Sequence, residues 1–147
     1  MSISGDWYNE FGSHLRITTD PTGCIRGTYI SATGHAVGAR PLVGRYDTAA
    51  VPGHGTPLGR TVAWRNGRTD AGPVTRWNGQ YHEDGGERIS VTWLLTASAS
   101  AANAWEATAV GRDIYTREPP SPEQAEQLLR HTGAPTDPHP VDELTPV

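Results

Sequence analysis

The sequence predicts an all-β protein: an eight-stranded antiparallel up-and-down β-barrel with a short C-terminal helical and extended tail. Three observations lead there. Nearly everything from Gly5 to Thr116 alternates with period two, the pattern of half-buried strands. Turn signals separate these runs at short, even intervals. Trp7, Trp64, Trp77, Trp93 and Trp105 each fall in a strand-like run of a chain with one Phe and one Met, so broad rigid indoles replace much of an ordinary aliphatic core. Eight short strands with tight links suit a barrel closed around one small ligand, and closure removes exposed edges. A two-sheet sandwich is the competing fold.

The strands are expected at about 5–11, 14–19, 24–31, 39–46, 59–66, 72–81, 87–97 and 105–115. The sixth shows the period best, with Pro73, Thr75, Trp77, Gly79 and Tyr81 opposite Val74, Arg76, Asn78 and Gln80. In the seventh, Ile89, Val91, Trp93 and Leu95 share a face, and in the eighth Trp105, Ala107, Ala109, Gly111 and Asp113 do. Asp20-Pro21-Thr22-Gly23, Thr33-Gly34-His35, Pro52-Gly53-His54-Gly55, Asn66-Gly67 and Asp84-Gly85-Gly86 read as the turns. The tail differs in composition. Ser121-Pro122-Glu123 is a helix start, Gln124 to His131 continues it, Gly133 stops it, and Ala134 to Pro140 is proline-rich. The expected division is a barrel over 1–119 and an appendage over 120–147.

Composition excludes several functions. The 147 residues suit one domain, and a formal charge of −4 gives no basic footprint for nucleic acid. All twelve basic residues are Arg, so Schiff-base chemistry has no lysine. Cys24 is the only cysteine, which rules out an intrachain disulfide. No apolar run approaches membrane-spanning length, and Met1 to Gly5 has neither the basic nor the apolar part of a signal peptide. No HExxH, GxSxG or Walker motif occurs, and the six histidines share no metal-ligand spacing on one strand face. The expectation is therefore a protein that is not an enzyme and holds no metal.

Binding is better supported. Asn9 shares a face with Trp7 and Phe11, Tyr29 with Ser31, Thr75 with Trp77, and Asp113 with Trp105. An inward carboxylate among indoles is costly unless hydrogen-bonded. It accepts an N–H from a ligand, orients Asn9, or belongs to a buried network tying strands together.

These segments resemble the avidin–streptavidin family. Gly5-Asp6-Trp7-Tyr8-Asn9-Glu10-Phe11-Gly12-Ser13 is similar to its first-strand GxWYNxxGS motif. Gly27-Thr28-Tyr29-Ile30-Ser31, Gly44-Arg45-Tyr46-Asp47, Thr61-Val62-Ala63-Trp64, Trp77-Asn78-Gly79-Gln80-Tyr81 and Thr92-Trp93-Leu94-Leu95-Thr96 follow in order, then Asn103-Ala104-Trp105 and Val110-Gly111-Arg112-Asp113. The resemblance implies noncovalent biotin binding, with biotin as ligand and no cofactor. It implies that Asn9, Ser13 and Tyr29 donate to the ureido oxygen, that Ser31 and Asp113 accept the ureido N–H groups, and that Thr75 meets the thioether sulfur. Trp64, Trp77, Trp93 and Leu95 would wall the ring and valeryl chain, and Trp105 would be donated to a neighbouring subunit. Phe11, Thr33 and His35 complete the candidate ligand-binding set. The family's usual assembly is a homotetramer, and its usual setting is secreted, extracellular or periplasmic.

Some positions depart from the streptavidin-type pattern. Pro73 stands where a serine helps hold the biotin carboxylate, and His35 replaces an asparagine whose backbone N–H role it can keep. Arg60 replaces a tryptophan and Arg112 a histidine; both are read as bearing on assembly, with Glu106 a possible partner and a dimer the alternative to the tetramer. The alternative function is a lipocalin-like carrier of another small apolar ligand. A small hydrolase using Asp113 is a further alternative that no activated nucleophile supports.

Overall fold

The computed structural model describes residues 2–32, 38–64, 72–124 and 126–127. Eight strands run in chain order: β1 Gly5–Tyr8, β2 His14–Thr19, β3 Cys24–Ile30, β4 Arg40–Tyr46, β5 Thr56–Ala63, β6 Val74–His82, β7 Arg88–Thr96 and β8 Thr108–Thr116. Each pairs antiparallel with the next, and β8 returns to β1, closing the barrel. The sandwich is thereby excluded. No helix among the described residues is long and apolar enough to cross a membrane.

Most boundaries fall within a residue or two of expectation, and three differ for a physical reason. β1 ends at Tyr8, because Gly12 at φ +84° donates its N–H to the Asn9 carbonyl and turns the chain. β5 starts earlier, at Thr56. Pro57 resembles a breaker in sequence, yet it faces outward, and its carbonyl accepts from the Asp47 N–H at 2.9 Å. The eighth strand starts later, since Ala101–Glu106 forms a 3-10 helix that carries Trp105 out of the ladder. In the tail, Ser121 and Gln124 exchange backbone and side-chain hydrogen bonds at 3.0 and 3.2 Å, the capping box of the expected helix start. Its expected stop at Gly133 and the proline-rich end lie outside the described residues.

Alternation places Leu58, Arg60, Val62, Thr75, Trp77, Tyr81, Ile89, Val91, Trp93 and Leu95 inside. Gly79 also points inward, where a Cβ would sit 1.8 Å from the Ser90 carbonyl oxygen, so only glycine lets β6 and β7 meet there. The weak seam is between β1 and β8, which share a single register pair, Tyr8↔Thr116. Side chains reinforce it. Glu10 Oε1 accepts from the Ile114 N–H at 2.9 Å, extending the ladder by one bond.

At the other end of the seam, the Arg117 guanidinium lies 3.8 Å from the Trp7 ring centroid and donates to the carbonyls of Ser2 and Ser4 and to Glu87. Arg117→Ala is expected to cost about 1–3 kcal/mol of unfolding free energy in urea titrations, the sum of a cation–π contact and several partly exposed hydrogen bonds. The Arg117 guanidinium, followed by the Tyr81 hydroxyl, holds the Glu87 carboxyl below its ordinary value. A depressed carboxylate stabilises the fold above its unfolded pKa and loses that contribution as pH falls through the folded one. The difference between wild type and Arg117→Ala should therefore be present at neutral pH and shrink below the ordinary glutamate value.

Candidate functional site

The polar cluster forms where β1, β3 and β8 face one another inside the barrel. Asn9 is buried just past β1, and its orientation is fixed by the turn it caps. Its Oδ1 accepts from the N–H groups of Phe11 at 3.1 Å and Ser13 at 2.9 Å. The acceptor is thus held in the turn, and the buried Nδ2 donor meets no partner among the described residues. Ser13 is buried too, and its Oγ accepts from the Ala32 N–H at 3.0 Å, so its hydroxyl hydrogen is directed elsewhere.

From β8, Asp113 Oδ2 accepts from the Tyr115 hydroxyl at 3.0 Å. Tyr115 in turn lies 3.1 Å from the Tyr29 hydroxyl of β3. Tyr115 gives its only proton to Asp113, so the Tyr29 proton points at Tyr115 for both bonds to exist. Burial first, then the Asp113 carboxylate, pushes the Tyr115 phenol well above its ordinary value, and the Arg60 guanidinium opposes this.

The aromatic wall adjoins this cluster. Tyr29 meets Trp64 edge-on at 5.2 Å and Trp77 at 5.2 Å, and Trp64 meets Trp77 at 6.3 Å. Trp64 Nε1 donates to Thr75 Oγ1 at 2.7 Å, which fixes the indole and the hydroxyl together. Trp93 stands opposite Trp77 across the β6–β7 ladder, and Leu95 opposite Thr75. Ser31 is half-buried just past the end of β3.

The structure therefore gathers Asn9, Ser13, Tyr29, Trp64, Thr75, Trp77, Trp93, Leu95 and Asp113 inside one barrel. It does not bring in two others. Phe11 lies in the turn after β1 and is 36% exposed, so the strand parity that paired it with Trp7 and Asn9 does not apply. Trp105 is 82% exposed on the 3-10 helix and shares no face with Asp113. Thr33 and His35 lie outside the described residues.

The expectation for Arg60 is corrected. It is no surface residue at a subunit contact, being only 1% exposed inside the barrel. It alternates with Leu58, Val62 and Trp64, and that parity was readable in the sequence. Its guanidinium reaches across from β5 to lie 4.7 Å from the Trp77 ring centroid and 4.5 Å from that of Tyr115. Tyr115 was missed as well, although it shares the Asp113 face. Arg112, by contrast, is exposed on the outer face of β8.

The class these observations define is a closed eight-stranded antiparallel barrel with a buried polar cluster and a tryptophan wall inside. The chain belongs to the avidin family, whose model, described as "Avidin family", matches residues 1–118. It is also similar to fibropellin-1 of Strongylocentrotus purpuratus, 32% identical over 124 residues that cover 78% of this chain. That match spans only 11% of fibropellin-1.

Proposed function

We propose that the protein binds biotin noncovalently in the open end of its barrel and catalyses nothing. The observation that carries this reading is the orientation of Asn9. Its Oδ1 is held by two backbone N–H groups, so Nδ2 is left as a buried donor with no partner among the described residues. A cyclic urea presents one acceptor oxygen flanked by two N–H donors. Asn9 and Ser13 supply donors for the oxygen, Tyr29 joins them when its proton turns from Tyr115 to the ligand, and Asp113 and Ser31 supply acceptors for the N–H groups. A carrier of general apolar ligands needs no such matched set, which disfavours the lipocalin-like alternative. Trp64, Trp77, Trp93 and Leu95 exclude water around the ring system, and Thr75, fixed by Trp64, faces the sulfur. The expected result of titrating tryptophan fluorescence with biotin is a saturable change at submicromolar ligand. No saturable change up to micromolar concentration would overturn the proposal.

The carboxylate end is weaker than the ureido end. Pro73 offers neither a side-chain donor nor an N–H, leaving His35 and Thr33 in the loop to serve that end. Biotin and its methyl ester are expected to bind within about tenfold of each other, the worth of one hydrogen bond, as read by calorimetry. A loss of a hundredfold or more in the ester would show a strong carboxylate anchor. Assembly is part of the same proposal. Trp105 is lent to a neighbouring subunit in a homotetramer, with a dimer as the other arrangement, and the natural setting is outside the cytoplasm.

A further inference from the structure

Three charged side chains are buried among the described residues: Glu10, Arg60 and Asp113. Arg60 is the only cation of the three, and arginine keeps its charge throughout the accessible pH range. None of its Nε, Nη1 and Nη2 atoms meets a hydrogen-bond acceptor among the described residues. Stacking between the rings of Trp77 and Tyr115 offsets part of its desolvation. A full charge in the barrel interior also needs an opposite charge within reach.

That charge is one aromatic ring away. Tyr115, on whose ring the guanidinium stacks, donates its hydroxyl to Asp113 Oδ2 at 3.0 Å. Among the described residues, the titratable and charged groups around Asp113 can be named. Tyr115 comes from its own strand, Tyr29 from β3 through the Tyr115 hydroxyl, and Arg60 from β5 by way of the Tyr115 ring on which it stacks. Glu10, from the turn after β1, binds the N–H of the next residue, Ile114. The inward residues of β2, Leu15 and Ile17, and of β7, Ile89, Val91, Trp93 and Leu95, bring no titratable group. Burial and the Glu10 carboxylate both favour a protonated Asp113, and among the described residues Arg60 opposes them with a full charge. A protonated Asp113 becomes a donor and loses its use as the partner of a ligand N–H.

We propose that Arg60 is the positioning residue of this site, holding the Asp113 carboxylate ionised and acceptor-only through the Tyr115 ring on which it stacks. The functional consequence rests on the biotin reading, whereas the charge balance inside the barrel stands without it. Two measurements on the full chain separate them. The first is NMR titration of the side-chain carboxyl carbons in protein labelled at aspartate, with Asp113 assigned by Asp113→Asn. In the wild type, Asp113 is expected to remain ionised down to about pH 4 despite its burial. In Arg60→Met its midpoint should rise by about one pH unit or more, and Arg60→Lys should restore most of the difference. The second is biotin affinity against pH, where the acid limb of Arg60→Met should move upward by the same amount. A purely structural role would lower affinity at every pH and leave the limb in place.

A folded Arg60→Met with an unmoved Asp113 midpoint overturns the inference. Should that variant not fold, the wild type decides, since an Asp113 that titrates at or above about pH 6 has no effective cation beside it. A wild type that does not bind biotin overturns the proposed function, and the carboxyl titration still decides the role of Arg60.

Discussion

Asp113→Ala is expected to weaken biotin binding by roughly two orders of magnitude or more, the worth of a lost hydrogen bond to a charged group in a dry site. The deletion acts twice. Under the proposed function it removes the acceptor for a ureido N–H, and it leaves that N–H and the Tyr115 hydroxyl without the oxygen that would receive them. It also removes the carboxylate that lies beyond the Tyr115 ring from Arg60, so a lower melting temperature should accompany the loss of affinity. Asp113→Asn separates the two effects. It keeps the shape and one acceptor oxygen but replaces the other oxygen with a donor, so it should retain part of the affinity while still unbalancing the Arg60 charge. Calorimetry or competition binding reads the first effect and thermal unfolding the second. An Asp113→Ala variant that binds within tenfold of wild type would remove Asp113 from the ligand set.

The barrel was legible in the sequence because closure leaves a strict record: every strand must alternate, and every link must be short. Val91, Trp93 and Leu95 against Ser90, Thr92 and Leu94 is such a record, and β7 runs as that pattern requires. The polar cluster was legible for the same reason, since Tyr29, Thr75 and Asp113 sit at inward parity among apolar residues. What failed were the places where a local rule competed with the ladder. Period two continues through Asn9 and Phe11 on paper, but Gly12 at positive φ ends the strand first. Trp105 fits the parity of β8, yet the alanine-rich segment before it coils into a 3-10 turn. Arg60 was misjudged for a different reason. Its parity pointed inward, but a buried arginine is rare enough that charge outweighed period. Two aromatic faces and a nearby carboxylate make the inward position tenable, and those partners are scattered over β6 and β8, far apart in sequence.

Trp105→Ala should leave the fold unchanged and yet reduce both biotin affinity and assembly. Within its own chain the residue has little to do: it is 82% exposed, and none of the aromatic pairs inside the barrel includes it. Removing so exposed a side chain from a monomer is expected to change stability by no more than about 0.5 kcal/mol. A tryptophan buried at an interface is instead a frequent hot spot, worth about 2–4 kcal/mol on truncation. Apolar residues accompany it on the outer face, where Leu94 and Val110 stand opposite each other across the β7–β8 ladder and are both exposed. Under the proposed function, one indole crosses to a neighbouring pocket, so each site is completed by a second chain. The unfolding free energy of the dissociated chain should then be unaltered in Trp105→Ala. Affinity for biotin should fall by roughly 30-fold or more, and light scattering should show a smaller particle at a given concentration. Biotin should raise the mass of the wild type at low protein concentration and do so far less for the variant, because a ligand that contacts two chains favours their association. A wild-type monomer that binds biotin with undiminished affinity at high dilution would show that the site is complete within one barrel, and would return Trp105 to the surface.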